Sequence, residues 1–210
     1  MNSPMQTALG DDFAKLPPAL RTHYQHGTTR DTGWLDIAFP GWMRPCLGLL
    51  HRLGALVPRG GLQVTTIVDK RVSGDHQFWQ RTIRFADGET ARFDSVWEAA
   101  DKGTLIEYVN PVLGLQMQPY VVGEQLHYRG VRFVARLGRW RLPIPECWAL
   151  GHTTIVERAL DDTRFAMDFR LTHPLFGEVF RYCGEFTAES LSESATAAVH
   201  EAKQPIFSEA

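Results

Sequence analysis

The sequence predicts a mainly β, α+β protein: a curved antiparallel up-and-down sheet forming a half-barrel or barrel, with N-terminal helices packing at its open face or end. Three observations predict this fold class. Apolar and polar residues alternate from Leu62 to Thr187, as in strands with one buried and one wet face. Turn-forming residues separate these segments, as in successive hairpins. The alternation changes phase at Gly130, which predicts a bulge that bends the sheet.

The N-terminal part of the chain predicts a helix followed by one strand. Asp11 or Asp12 can cap a helix that runs to about Gln25, with two prolines in or before its first turn. A short strand is expected over residues 32–39. The helix therefore precedes the sheet and is free to pack against one end of it.

A second helix is predicted over residues 40–57. Apolar residues recur there at intervals of three and four, which is the spacing of one helix face. The stripe comprises Met43, Leu47, Leu50 and Leu53, widened by Cys46 and Leu49. We expect this helix to pack on the open face of the sheet as a lid or plug. The alternative is that it docks on a membrane, which requires an exposed apolar face.

About eight or nine strands are predicted between Leu62 and Thr187. Residues with the same parity share a face of each strand, so their apolar members define the inner surface of the curved sheet. The shared-face groups are Leu62, Val64, Thr66 and Val68; Trp79, Ile83 and Phe85; Phe93, Ser95 and Trp97; Phe165, Met167, Phe169 and Leu171; and Phe180, Tyr182 and Phe186.

The chain is expected to form one β-rich domain over residues 11–188, since it shows neither an internal repeat nor a linker. Residues 1–10 are expected to be a flexible lead and residues 189–210 a flexible tail, because both are small and polar. The N-terminus lacks the pattern of a signal peptide, and the longest apolar stretch is too short to span a bilayer. Three scattered cysteines fit a reducing compartment. These features predict a cytoplasmic protein.

Composition argues against several function classes. The net charge of −2 and the pI of about 6.4 give no global field that attracts nucleic acid or an anionic membrane. Five arginines between residues 129 and 141 are therefore interpreted as the wet side of a strand. His23 and His26 would need a third ligand to hold a metal, so no metal is expected. The nucleotide-binding glycine motifs and the serine-hydrolase motif are missing, and no cofactor is expected.

Arg81 is the most informative polar residue, because it shares the apolar face of Trp79 and Phe85. An inward guanidinium needs a carboxylate, a ring of carbonyls or an anionic ligand, since burying it unpaired is prohibitive. Glu107 and Glu157 lie on apolar faces of their own strands and are the natural partners. One interpretation is an internal ion pair that fixes strand register. The other is a polar floor in an apolar pocket, able to hold a carboxylate or supply an acid with a raised pKa.

The leading hypothesis from these residues is that the concave face of the sheet binds an apolar or amphipathic small molecule. The ligand-binding candidates are Trp79, Arg81, Phe85, Phe93, Trp97, Phe165 and Phe169. The alternative is a cofactor-independent enzyme, similar to an isomerase or cyclase. Its acid or base would be Glu157 or Glu107, with Arg81 orienting an oxygen of the substrate.

Short motifs also give the chain a resemblance to a known family. They are Leu16 to His23, Trp79-Gln80-Arg81 with Phe85, Phe93-Asp94-Ser95, Leu142 to Pro145, Glu157, Phe165 with Asp168, His173 to Gly177, and Tyr182-Cys183-Gly184. With these, residues 11–188 resemble the domain-of-unknown-function family 4166.

Such domains occur alone or behind saccharopine-dehydrogenase-like and other enzyme domains. The resemblance implies an accessory or small-molecule-handling module, or a non-catalytic interaction module that partners dehydrogenase-like enzymes. The chain departs from the family pattern at Glu107-Tyr108-Val109-Asn110-Pro111, where a glycine-proline turn is usual, so the resemblance does not carry Glu107 over as a site residue.

Overall fold

A computed structural model describes residues 2–191 of the chain. It contains three α-helices, four short 3-10 turns and eleven strands within that range. The helices are α1 (Pro4–Leu9), α2 (Pro18–Tyr24) and α3 (Arg44–Arg52), and the 3-10 turns are Gly10–Lys15, Gly41–Met43, Asp101–Gly103 and Glu146–Trp148. The strands are β1 (Thr28–Ala38), β2 (Gly61–Ser73), β3 (His76–Arg84), β4 (Thr90–Ala100), β5 (Thr104–Tyr108), β6 (Leu113–Val122), β7 (Gln125–Leu137), β8 (Trp140–Ile144), β9 (His152–Ala159), β10 (Arg164–His173) and β11 (Gly177–Ser190).

Ten of the strands form a closed antiparallel barrel. Strands β1 to β7 follow one another around the ring, β9 to β11 complete it, and β11 pairs with β1 from Thr29–Ser190 to Ala38–Arg181. Strand β8 lies outside the ring and pairs with the second half of β7. The predicted fold class is confirmed, and closure is complete, so the ring has no open edge. The predicted eight or nine strands after Leu62 are ten.

The predicted bend near Gly130 is confirmed. Gln116 of β6 lies opposite Arg132 and the next residue, Met117, lies opposite Gly130, so Val131 is an extra, bulged residue. Strand β7 exchanges partners at this bulge: its first half pairs with β9 and its second half with β8. Gly130 leaves room at the bend for the carboxylate of Glu146, which a side chain at position 130 would displace.

Helices α1 and α2 close one end of the barrel, here called the α2 end. Leu20, His23 and Tyr24 of α2 are buried, and the helix packs on β1, β9, β10 and β11. The predicted single helix is interrupted at Leu16, which is extended because two prolines follow it.

Six residues of the expected flexible lead over residues 1–10 form α1. Ser3 caps α1 by accepting from the Gln6 N–H at 3.2 Å, and the Gln6 side chain accepts from the Ser3 N–H at 2.7 Å. Pro4 occupies the first turn, where its missing N–H costs little. Met5 is fully buried, so the helix is held by the core as well as by its cap.

The opposite end, here called the α3 end, is covered by α3 and the turn after it. The predicted helix over residues 40–57 is a 3-10 turn followed by α3, and it ends at Arg52. Gly54 has a φ of 77° and Leu56 a φ of 56°, so the chain reverses direction there. Ala55 and Val57 are buried, which places this turn in the mouth of the barrel.

Only part of the predicted stripe on this helix is buried. Met43 and Leu47 face the core, whereas Leu49 and Leu53 are exposed. The stripe is wider than the barrel mouth can cover, so its outer half remains in water.

Two further expectations are corrected at the ends of strands. Leu62 was assigned to an inward face but is exposed, because the pairing of β1 with β2 shifts register there and Gln63 adopts a φ of 49°. Strand β11 continues through Ser190, two residues into the segment expected to be a flexible tail, and residues 192–210 lie outside the described range. None of the helices within residues 2–191 has the length and apolar character needed to cross a bilayer.

Candidate functional site

The aromatic residues predicted to face inward line the interior of the barrel. Trp79, Trp97, Phe85, Phe165 and Phe169 are buried, and the rings of Trp79 and Trp97 stack at 4.6 Å between centroids. Phe93, the sixth predicted aromatic residue, is half-buried. The face assignment from the period-two pattern was therefore correct for this set.

Two neighbouring cavities of about 70 Å³ each lie inside the barrel. Leu56, Phe93, Glu107 and Tyr182 line both of them. The walls are mainly apolar, and the first cavity reaches from α2 to the turn that contains Leu56. Each cavity has about half the volume of an apolar cavity of about 150 Å³ that accommodates benzene in another protein.

The predicted ligand-binding residues divide between these cavities. Trp79, Arg81, Phe93, Trp97 and Phe165 line the first, and Phe93 and Phe169 line the second. Phe85 lines neither; its ring lies beneath the guanidinium of Arg59 at 4.4 Å. The structure therefore brings six of the seven predicted residues together around the enclosed space.

Arg81 is paired inside the barrel. Its Nη2 donates to Glu107 Oε1 at 3.0 Å and its Nη1 donates to Ser95 Oγ at 2.8 Å. Ser95 Oγ donates in turn to Glu107 Oε1 at 2.7 Å. The guanidinium lies 4.8 Å from the ring centroids of both Trp79 and Phe93. Arg81 is thus neutralised by one of the two glutamates that the sequence proposed as partners, and its plane is held by two aromatic rings.

Glu157, the other proposed partner, does not contact Arg81. Its two carboxyl oxygens accept from the hydroxyl of Tyr24 at 2.8 and 2.9 Å, and the hydroxyl of Tyr128 donates to that of Tyr24. Burial raises the pKa of Glu157 to about 8. The carboxyl group, which lines the first cavity, therefore retains its proton at neutral pH.

A second buried polar cluster was not found from the sequence. Lys70 Nζ lies 2.6 Å from Asp31 Oδ2 and donates to the backbone carbonyl of His23 at 2.7 Å. His23 Nδ1 lies 2.8 Å from the same Asp31 oxygen and 2.7 Å from Lys70 Nζ. Burial lowers the pKa of Lys70 to about 8 and that of His23 to about 4. His23 is thus neutral at pH 7, whereas Lys70 and Asp31 form a buried ion pair.

The surroundings of His23 accommodate both neutral tautomers. A proton on Nδ1 is donated to Asp31, and without it Nδ1 accepts from Lys70. The first arrangement leaves Nε2 as a free base on a ring that lines the first cavity. The ammonium group beside His23 disfavours a metal ion at this position, and within residues 2–191 no group of three metal-ligating side chains is present.

A signal for this cluster was present in the sequence. Lys70 continues the shared face of Val64, Thr66 and Val68, and Asp31 has the parity of the inward Leu35. Extending the period-two pattern by one step in β2 identifies Lys70 as inward. Its pairing with Asp31 and His23 depends on the packing of α2 against β1 and β2, which alternation alone does not report.

Two further polar groups face the interior without protein partners. The indole N–H groups of Trp79 and Trp97 are buried and donate to nothing within the described range. A buried donor without an acceptor costs free energy, about 1–3 kcal/mol. Because both rings line the first cavity, an acceptor atom on a bound molecule is one way to satisfy them.

Comparison with known proteins identifies the family. None of the curated proteins compared with the chain matches it. The family model described as "Domain of unknown function (DUF4166)" matches residues 16–186. This range contains α2 and ten complete strands, together with every residue that lines the two cavities. The chain therefore belongs to the DUF4166 family.

Proposed function

We propose that the barrel binds a small apolar or amphipathic molecule in its interior. The observation that carries this proposal is the pair of adjoining apolar cavities that share Leu56, Phe93, Glu107 and Tyr182. Well-packed cores leave few voids larger than a water molecule, so two adjoining voids inside a barrel favour a binding site.

The size of the cavities limits the ligand. Occupied as one space, the two cavities suit a molecule of roughly six to ten heavy atoms, by comparison with the benzene-sized cavity. A longer amphipathic molecule requires the turn that contains Leu56 to move outward. Leu56 lines both cavities in a left-handed conformation that is unfavourable for a leucine, so this turn is the natural point of opening.

The polar groups indicate how such a molecule is oriented. Arg81 and the two indole N–H groups are donors, which suits a carbonyl or carboxylate oxygen near Trp79 and Trp97. The opposite, apolar part of the ligand then lies towards Leu56 and Phe169. The ligand is thereby expected to place its polar atom at mid-barrel and its apolar end under α3.

Binding is tested by filling the space. Native mass spectrometry of the purified protein, followed by calorimetric titration with hexanoate, hexanol and benzoate, should reveal a bound species or a saturable probe. Leu56→Trp fills both cavities and should abolish binding. Leu49→Trp is the matched control, because position 49 is exposed on α3. Unchanged binding by Leu56→Trp, or no binding of any species by the wild type, would refute the proposal.

A paired substitution tests the role of Arg81. Arg81→Gln together with Glu107→Gln removes both charges and keeps hydrogen-bonding groups in place. If the donors hold a carboxylate, the double variant should weaken hexanoate at least tenfold and leave hexanol within about twofold. Equal effects on the two probes would show that Arg81 is scaffold.

A second candidate function is cofactor-independent proton transfer on a ligand in the same cavities. Glu157, protonated at neutral pH, and His23, neutral with Asp31 on one ring nitrogen, line the same cavity and can act as acid and base. Enzymes of the isomerase or cyclase kind use such pairs.

Deuterium exchange tests this chemistry without knowledge of the substrate. Cyclohexanone fits the cavity and exchanges its α-hydrogens slowly in D₂O, so NMR can detect acceleration by the protein. Glu157→Gln should remove the acceleration while cyclohexanone still binds. Exchange at the solvent rate with wild-type protein, or exchange that Glu157→Gln leaves unchanged, would reject this candidate.

A further inference from the structure

The α3 end of the barrel carries a group of exposed apolar residues, here called the α3 patch. On α3 and the turn before it, residues 42, 46, 49 and 53 recur at helical spacing and face outward. The turn between β10 and β11 adds two more, and the rings of Trp42 and Phe176 lie 5.3 Å apart between centroids. The α3 patch consists of Trp42, Cys46, Leu49, Leu53, Leu175 and Phe176.

The segment around the patch contains basic residues but no acidic ones. Residues 37–68 contain no aspartate or glutamate, although acidic residues outnumber basic ones by 24 to 22 in the chain. Arg44, Arg52 and His51 are exposed on α3, and within the described part of the chain neither arginine has a salt-bridge partner. Arg59 pairs with both Asp87 and Glu89, and this group has one more acidic than basic side chain. Arg44 and Arg52 are therefore the unpaired positive charges on α3 itself.

Two acidic residues close to the segment are engaged with groups other than Arg44 and Arg52. Asp36 accepts from the backbone N–H of Gln63, which leaves its negative charge in place, and Glu178 lies 3.8 Å from the guanidinium of Arg170. Electrostatic interactions in water extend over roughly 8 Å at physiological ionic strength, so the local balance outweighs the net charge of −2.

We infer that the α3 patch is a docking surface for an anionic membrane. Tryptophan and phenylalanine favour the boundary between lipid headgroups and acyl chains, and flanking arginines attract anionic lipid headgroups. The exposed apolar face that membrane docking requires is present on the outer side of α3. The apolar and basic residues occur on one short helix, as in interfacial helices that lie in the plane of the membrane.

The same helix links this surface to the interior. Leu50, on the inner side of α3, lines the second cavity together with Leu56. A helix drawn into the membrane interface by Trp42 and Leu49 therefore moves a wall of that cavity. The link between docking and the cavity rests on the proposed interior binding. The docking surface itself does not depend on that proposal.

Vesicle binding tests the inference. Full-length protein should bind vesicles of phosphatidylglycerol and phosphatidylcholine at low salt, and bind pure phosphatidylcholine vesicles more weakly. Arg44→Ala with Arg52→Ala should weaken binding to the anionic vesicles about 20- to 30-fold, since each arginine contributes roughly fivefold. Trp42→Ala with Phe176→Ala should weaken binding to both kinds of vesicle at least tenfold.

Matched controls separate docking from other effects. Trp140 is 64% exposed on β8, outside the patch, compared with 54% for Trp42 and 61% for Phe176. Trp140→Ala should bind vesicles within twofold of wild type. Leu56→Trp should also bind vesicles as wild type does, even where it no longer binds hexanoate, so failure of interior binding and failure of docking are distinguishable.

Three results would overturn the inference. The first is no binding of wild-type protein to phosphatidylglycerol vesicles at low salt. The second is unchanged binding by Trp42→Ala with Phe176→Ala. The third is a stable dimer in sedimentation velocity that this double variant dissociates, because the patch would then be covered by a second copy of the chain.

Discussion

Each end of the barrel holds residues in an environment that such residues usually avoid, but the residues are of different kinds. At the α2 end, charged and titratable groups are buried: Lys70 and Asp31 pair beside His23, and Glu157 is bonded by Tyr24. At the α3 end, large apolar groups such as Trp42 and Phe176 are exposed. At the α2 end each buried charge depends on a partner, whereas the exposed apolar groups of the α3 end do not. This difference makes the α3 end the proposed route of access to the interior.

The largest expected effect comes from breaking the buried ion pair. Lys70→Met leaves the Asp31 carboxylate buried without its cation, and should lower the free energy of unfolding by about 3–5 kcal/mol in urea denaturation. Lys15→Met, which removes an exposed partner of Asp12, should leave it nearly unchanged. Lys70→Met combined with Asp31→Asn should recover part of the loss. A loss no larger than that of Lys15→Met would show that the α2 end does not depend on this pair.

The next effect contrasts the two faces of α3. Leu47→Ala removes a fully buried side chain and should cost about 2–5 kcal/mol in the same measurement. Leu49→Ala, two positions away on the exposed face, should lower the free energy of unfolding by less than about 0.5 kcal/mol. The small gain in helix propensity from alanine offsets part of this loss. Equal losses would mean that both faces are packed against protein, which would remove the basis for an exposed patch.

The smallest expected effect is a pH dependence at the α2 end. The pKa of Glu157 is about 8 in the folded protein and near 4.5 when unfolded, so the folded state binds more protons between these values. The free energy of unfolding should therefore fall as pH rises, by about 1 kcal/mol from pH 6.5 to 7.5, and this fall should be missing in Glu157→Gln.

The comparison with Glu157→Gln isolates Glu157 from its neighbours. His23, with its pKa lowered to about 4, makes stability rise with pH up to its unfolded-state pKa near 6.5. Lys70, with its pKa lowered to about 8, makes stability rise as pH passes 8. Wild type and variant share these contributions, so the difference between their slopes reports Glu157. An identical slope in wild type and Glu157→Gln between pH 6.5 and 7.5 would show that the carboxyl group is already ionised there.

The fold was largely predictable because alternation reports which side of a strand is buried. It identified Trp79, Trp97 and Arg81 as inward, and the phase change at Gly130 as a bend. Closure of the ring depends on β1 meeting β11, and no local pattern reports that pairing. The sequence also carried a local signal for α1 that was missed, because Ser3 and Gln6 have the spacing of a capping box.

The site was only partly predictable. The sequence proposed Glu107 and Glu157 equally as partners of Arg81, because parity gives a face but not a height along the barrel. Glu107 lies on β5 at the level of Arg81, whereas Glu157 lies nearer α2 and is bonded by Tyr24. Partner choice requires strand register and the position of the helix that closes the end.

Closure of the ring through β1 and β11 also has a consequence for the order of folding. His23, Asp31 and Lys70 come from α2 and the first two strands, so their cluster forms from a contiguous stretch of chain. The bonds of Tyr24 to Glu157, and the last seam of the ring, need strands that are synthesised much later. Contacts so distant in sequence slow folding. The interior of the barrel can therefore be sealed only after β11 has been synthesised.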